Sequence, residues 1–366
     1  MLNRRDFLSS RPLANAAGQV LGALDDLTEL AESLSDEAPP PPETLLFRAS
    51  RRAMAATFEV ALPFATPDAL LAAEAALDVV DRLEAQLTVY RDDSDVSHLN
   101  RLAGSQPVHV EKDLFELLRL AARLTAETQG AFDVTAGTLV KSWGFFRGPR
   151  RVPRAEERAA ALRTVGMRNV LLDADHRTVR FLLPGLEINL GSIGKGYALD
   201  CAARLLRDQW NVRAGLLHAG HSSVYAMGKE PATAEGWRVA LRHPWDEGRR
   251  LGVLTLKDRA LATSAATFQY LEYFGRKLGH ILDPRTGWPA QGIASASVTA
   301  PTAAEADALA TAFFILGVAS AREYCHRNPE IGAVLVPEGE QATPVVLGQA
   351  VSELEPETVG TSGKKD

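Results

Sequence analysis

Three short segments hold the residue types that could do chemistry together. His280-Ile281-Leu282-Asp283-Pro284-Arg285-Thr286-Gly287 places an imidazole, a carboxylate and a Pro-Arg-Thr-Gly turn in one run. Ala306-Asp307-Ala308-Leu309-Ala310-Thr311-Ala312 follows, with a carboxylate and a hydroxyl four residues apart on an apolar helical pattern. Residues four apart on a helix share a face, so Asp307 and Thr311 can aim at one point. Their oxygens suit a hard cation such as magnesium, which usually accompanies a phosphate-bearing substrate. Gly191-Ser192-Ile193-Gly194-Lys195-Gly196 lies between a strand pattern and a helix pattern. Glycines admit close backbone approach, the N–H groups of a helix N-terminus bind phosphate oxygens, and Lys195 adds a point charge. A neutral His280 could serve as a general base toward a hydroxyl. Base, cation site and phosphate loop together point to transfer or hydrolysis at a phosphate ester or anhydride. Each segment also has a structural reading: Asp283 opens a turn, Asp307 caps or solvates a helix, Lys195 stands in solvent beyond a tight turn, and His280 and His221 are packing histidines.

The elements that must position these residues follow from periodicity. Arg48 to Leu62 alternates and is expected as a strand; Thr66 to Leu87 has a helical period and opens on Thr66-Pro67-Asp68, an N-cap with proline in the first turn. Tyr90 to Asp95 is a polar loop with a short turn to Asn100, and Leu114 to Gln129 is an amphipathic helix stopped by Gly130. Gly148 to Arg154 is a basic, Pro-containing surface loop, and Ala155 to Val165 is helical. Val170 to Leu172 and Thr178 to Leu182 form a hairpin, Glu187 to Leu190 a strand, and Tyr197 to Trp210 a helix. Leu216 to Ala226 reads as strand, tight turn and strand. Strands follow at Trp237 to Leu241, Arg250 to Leu256, Arg259 to Ser264, Ser295 to Ala300 and Ala333 to Val336, with the Asp307 helix before the last. Strands joined by short turns, with helices in blocks, give an α+β class rather than regular βαβ alternation.

Composition narrows the function classes. The chain has 366 residues, 46% hydrophobic and 23% charged, ample for a substantial core. A net charge of −6 argues against a nucleic-acid surface, and no run of 18 apolar residues suggests a membrane span. Cys201 and Cys325 lack metal-type spacing and are expected to pack as small apolar residues, with a disulfide between them left open. Asn3-Arg4-Arg5-Asp6-Phe7-Leu8 is similar to a twin-arginine leader, although Arg11, Asn15 and Gln19 interrupt the apolar run that should follow. Periplasmic export is expected, with a polar, partly helical arm in the cytoplasm as the alternative. Pro39 to Pro42 marks a linker, so the organisation is an arm and linker over 1–44, a domain over 45–347 and a polar tail over 348–366.

Read in order, these segments resemble the ApbE family of FAD:protein FMN transferases over nearly all of residues 50–340. The matching pieces are Met54-Ala55-Ala56-Thr57, Tyr90 before Ser94-Asp95-Val96-Ser97-His98-Leu99-Asn100, Phe132 to Gly137, Ile188 to Asp200, Ala262-Thr263-Ser264, His280 to Gly287 and Ala306 to Ala312. The resemblance implies an α+β, T-fold-like catalytic domain of antiparallel or mixed sheets with flanking helices. It implies a magnesium-dependent enzyme that splits FAD at its pyrophosphate, moves FMN to a Ser or Thr hydroxyl of an acceptor protein and releases AMP.

Carried over by position, Asp307 and Thr311 resemble the metal ligands, with a backbone carbonyl near Gly194 as a third. His280 matches the base, and Met54, Tyr90, Asp133, Thr135, Lys195, Asp200 and His280 fall where FAD contacts are expected. This chain departs from the pattern at Gly220-His221-Ser222, where the family usually has Gly-Gly-Asp, at Ala265, where glycine is common, and at Ser192, which replaces a glycine. No cysteine precedes Cys201, so no lipid-bearing cysteine is expected. Two alternatives stand beside transfer: an FAD pyrophosphatase giving FMN and AMP, and an FAD-binding protein that has lost transfer. Ser264 to Thr267 fits a pocket turn better than a flavinylation acceptor.

Overall fold

The computed structural model describes residues 45–351, apart from 147, 232–234, 247, 267–269, 340–341 and 349–350, together with 355–356. The expected leader, the proline linker and most of the polar tail lie outside the described residues. The stretch expected as one strand from Arg48 to Leu62 is a hairpin of β1 (Leu46–Ala53) and β2 (Ala56–Pro63), paired antiparallel with Ala53 opposite Ala56. Its two-residue turn holds Met54 at φ 49° and Ala55 at φ 59°. Both-positive φ is the geometry that matches strand twist, and it normally recruits Asn and Gly. Met-Ala gives no such signal, which is why alternation alone ran the two strands together.

Eight antiparallel strands form the main sheet in the order β1-β2-β6-β7-β10-β13-β14-β15. Here β6 is Gly215–Ala219, β7 Ser223–Met227, β10 Arg259–Ala265, β13 Ile293–Ala300, β14 Gly332–Pro337 and β15 Val345–Leu347. Every residue of β13 is buried, as befits a strand paired on both sides and covered on both faces. Side chains alternate between two cores. Tyr225, Met227, Ala260, Ala262, Ala333 and Leu335 face the large core, whereas Ala226, Leu261 and Val334 face a smaller one with Trp237, Leu254 and Leu256. The second core is roofed by a three-stranded sheet of β8 (Trp237–Arg242), β9 (Arg250–Leu256) and β16 (Glu355–Pro356). A further small sheet joins β3 (Val108–His109), β5 (Thr178–Phe181) and β4 (Val170–Asp173), and β11 (Tyr270–Tyr273) pairs with β12 (Arg276–Gly279).

Seven helices occur among the described residues: α1 (Ala69–Leu87), α2 (Asp95–Leu102), α3 (Lys112–Glu127), α4 (Gly137–Ser142), α5 (Ala155–Thr164), α6 (Gly194–Gln209) and α7 (Ala303–Arg327). Helices α1, α6 and α7 cover the large core. Other elements also differ from the sequence reading. Helix α1 starts after Asp68, which sits at φ 50° and makes no side-chain cap, so Thr66 is not its cap. The short turn to Asn100 is a true helix, α2, capped by Ser94 accepting from the Ser97 N–H at 3.0 Å. The expected strand at Glu187 to Leu190 is extended chain with an isolated bridge from Glu187 to Ala136. Helix α7 has the length and mean hydropathy, 1.4, of a membrane-crossing helix, but it packs inside the domain on β10, β13 and α6.

Both cysteines are buried and unpaired. Burial pushes each thiol up to about 11, which makes them packing residues rather than nucleophiles.

Candidate active site

The site begins where α6 and α7 meet. Gly196 in the first turn of α6 lies so close to α7 that a Cβ there would fall 2.1 Å from the Ala303 carbonyl oxygen. Helix α6 starts at Gly194 rather than at Tyr197, and Gly196 serves helix packing as well as the loop. At the contact, each helix lends a carboxylate to the other's N-terminus. Asp200 of α6 accepts from the Ala303 and Ala304 N–H groups at 2.7 and 2.9 Å. Asp307 of α7 accepts from the Gly196 N–H at 2.7 Å. Free N–H groups and the helix dipole favour an anion at both places. Burial nevertheless pushes the Asp200 carboxyl up to about 7 and raises that of Asp307, against the pull of Lys195.

The second Asp307 oxygen accepts from Ser223 Oγ at 2.6 Å. One turn on, Thr311 Oγ1 lies 3.2 Å from the Asp307 carbonyl and 3.3 Å from Ser264 Oγ. Lys195 Nζ donates to Ser222 Oγ at 2.5 Å. These side chains open onto a cavity of about 590 Å³, within the range of small-molecule sites. Tyr90, Asp133, Lys195, His280, Asp307 and Thr311 all line it. His280 stands just beyond β12. The turn after it is locked by Asp283, whose carboxylate takes the Arg285 N–H and guanidinium at 2.9 Å and whose carbonyl takes the Gly287 N–H at 2.8 Å. Trp143, fully buried, fastens this turn by donating Nε1–H to the Gly287 carbonyl at 3.0 Å.

Other residues named from sequence lie away from the cavity lining or are committed internally. Asp133 accepts from the Thr135 N–H and hydroxyl and from the Met167 N–H, and Thr135 Oγ1 accepts from the Gly166 N–H. The pair therefore fixes the cavity wall, and Thr135 does not line the cavity. Asp200 sits behind the cavity on the α7 N-terminus. Met54 occupies the β1–β2 turn and donates its N–H to Glu84 Oε1 at 2.6 Å. Gly194 is buried at the first position of α6, next to Lys195. His221 turns to Arg242 at 3.3 Å, outside the lining.

Sequence reading passed over several contributors. Arg150, placed in a surface loop, lines the cavity as an exposed guanidinium, and Asn189 and Ser192 line it as well. Ser264 lies in strand β10, as expected, and lines the cavity. Tyr90, in the lining, stacks on Phe146 outside it, with ring centroids 4.8 Å apart and planes 13° from parallel, a support that spacing alone could not assemble.

The donors around Asp307 fit a hard cation. They are all oxygen: a carboxylate and hydroxyls of Thr311 and Ser264. Among the described residues no group of three or more His, Cys, Asp and Glu is placed to hold a metal, so a soft-metal cage is not what the site offers. Few protein ligands with room for substrate oxygens and water is the pattern of magnesium rather than of zinc.

Fold and cavity thus define an antiparallel α+β domain with an oxygen-rich, lysine-bearing cleft at a helix N-terminus. The model of the ApbE family matches residues 54–335, and the chain belongs to that family. It is 32% identical over 282 residues to the FAD:protein FMN transferase of Salmonella typhimurium, covering 75% of this chain and 80% of that protein. It is likewise 32% identical over 279 residues to the FAD:protein FMN transferase of Treponema pallidum, covering 72% and 76%. Among solved structures, the ApbE protein of Thermotoga maritima superposes with a TM-score of 0.77 at 28% identity, covering 86% of this chain and 100% of that one. The apo flavinyl transferase ApbE of Pseudomonas stutzeri gives 0.75 at 26% identity, covering 86% and 98%.

Proposed function

We propose that this chain is a flavin transferase that moves FMN from FAD to a Ser or Thr hydroxyl of an acceptor protein, with magnesium, and releases AMP. The observation that carries the reading is the convergence of His280, Lys195, Asp307 and Thr311 on one cavity. Lys195 and the α6 N-terminus suit the phosphate oxygens of the dinucleotide. Asp307 and Thr311 would hold the magnesium ion, which when bound neutralises charge developing on the pyrophosphate. His280 removes the proton of the acceptor hydroxyl as that oxygen bonds to the flavin-side phosphorus. The bond from this phosphorus to the bridging oxygen breaks, and AMP leaves with that oxygen. Tyr90, which lines the cavity, offers an aromatic face to a ring system.

The test is incubation with FAD, magnesium and an acceptor domain carrying a single reactive Thr, read by mass spectrometry. A gain of one FMN on the acceptor is expected. Free FMN without labelling would instead identify a pyrophosphatase, and intact bound FAD a binding protein. His280→Ala should abolish labelling while FAD still binds; full labelling by this variant removes His280 from the role of base. The paired arginines Arg4-Arg5 further support export to the periplasm. Replacing both with lysine should retain the chain in the cytoplasm, and unchanged periplasmic recovery rejects that reading.

A further inference from the structure

The mechanism above uses Lys195 and Asp307 separately, but the structure joins them. Lys195 Nζ donates to Ser222 Oγ at 2.5 Å, Ser222 Oγ lies 3.4 Å from Ser223 Oγ, and Ser223 Oγ donates to Asp307 Oδ1 at 2.6 Å. No ion pair within 4.0 Å links Lys195 to Asp307 among the described residues. That separation needs a cause. An ammonium and a buried carboxylate on one cavity attract strongly where the local dielectric is low. Left alone they would close into a direct pair, which would occupy both the charge meant for a phosphate and the oxygen meant for a cation.

We propose that Ser222 and Ser223 are positioning residues that hold Lys195 and Asp307 apart, so that a phosphate anion and a divalent cation can each engage one of them. The hydroxyls suit this work because each can accept and donate at once. Ser222 accepts a hydrogen bond from the ammonium, and Ser223 donates one to the carboxylate. Neither adds a charge of its own to the cleft. Ser223 is fully buried at the start of β7, and Ser222 closes the tight turn before it, so both hydroxyls sit on rigid backbone. The departure at Gly220-His221-Ser222 thereby gains a role: a neutral Ser222 orients Lys195 without cancelling its charge.

The inference rests on the flavin-transferase reading for the identity of its ligands, and it is tested without acceptor protein so that the two can fail separately. FAD affinity is measured in chelator by flavin fluorescence quenching, and Mn2+ affinity without FAD by electron paramagnetic resonance. In Ser222→Ala the ammonium should fall onto Asp307, lowering both affinities by about tenfold, the lower end of what outer-shell partners contribute at metal sites. In Ser223→Ala, Mn2+ affinity should fall by about tenfold with FAD affinity in chelator held within about twofold, because only the carboxylate loses its donor. Ser222→Thr, which keeps the hydroxyl, should restore both. Thermal melts confirm that each variant is folded. Unchanged affinities in both alanine variants, or a loss of FAD affinity alone in Ser222→Ala, overturns the proposal. If wild-type protein binds both ligands in this pattern yet never labels an acceptor, the transferase reading fails and this one stands.

Discussion

Asp200 and Asp307 hold equivalent posts on two helices that cross at Gly196. Each is a carboxylate raised by burial, and each accepts N–H groups from the first turn of the other's helix. They differ in what meets the remaining oxygen. Asp200 gives both oxygens to backbone N–H groups, which cannot turn away, and it does not line the cavity. Asp307 gives its second oxygen to the Ser223 hydroxyl, which can rotate, and it does line the cavity. A carboxylate held wholly by fixed donors is architecture. One held half by a hydroxyl can still take a ligand. Two aspartates that each cap the other's helix thereby differ in what they can still bind.

The largest effect that could break this comparison is on catalysis. Asp307→Asn preserves shape and can still accept from Gly196, but it removes the charge facing the cavity. Flavin transfer should fall by about 100- to 1,000-fold, the scale of losing one preorganised electrostatic contact, with the thermal midpoint nearly unchanged. Turnover within a few-fold of wild type would reject Asp307 as the cation ligand.

Asp200→Ala should do the reverse. It leaves two first-turn N–H groups of α7 unsatisfied, a loss of about 1–3 kcal/mol in urea unfolding, with transfer per folded molecule little changed. A large loss of turnover at full stability would move Asp200 into the chemistry and erase the distinction.

The smallest effect sharpens the comparison through pH. The folded-state pKa of Asp200, about 7, lies above its ordinary 3.8, so the folded protein holds this proton more tightly than the unfolded chain. Its contribution is therefore fully present below pH 3.8 and is lost as pH rises through 7. Asp200→Asn cannot ionise. Its stability relative to wild type should improve as pH climbs across that window, measured as the difference in urea midpoints. A difference that stays flat with pH would show that Asp200 does not titrate there.

Much of the site could be read from local spacing. Asp307 and Thr311 lie one helical turn apart, and that turn forms. The Pro-Arg-Thr-Gly turn after His280 forms as well, because Asp283 satisfies it from within. Lys195 sits at a helix N-terminus, as the glycine-rich run suggested. The errors share a cause. The turn at Met54-Ala55 has residues that do not favour positive φ, so nothing local announced it; pairing with β2 and the Met54 N–H contact to Glu84 hold it in place. The start of α6 was set too late because Gly196 reads as loop, whereas contact with α7 requires it. A motif match also does not show the internal hydrogen bonds that Asp133, Thr135 and Asp200 make.

By itself the sequence determined the α+β class, the family and the residue types available at the cleft, because hydrophobic period, turn chemistry and i,i+4 spacing are properties of neighbouring residues. Only the tertiary structure decided which of two similar aspartates faces the cavity and that Ser223, 84 residues before Asp307 in the chain, holds it. It also decided that Ser222 takes up Lys195. The reason is physical: a hydrogen bond between distant segments depends on how helices and strands close on one another, and that closure is set by the packing of the whole core.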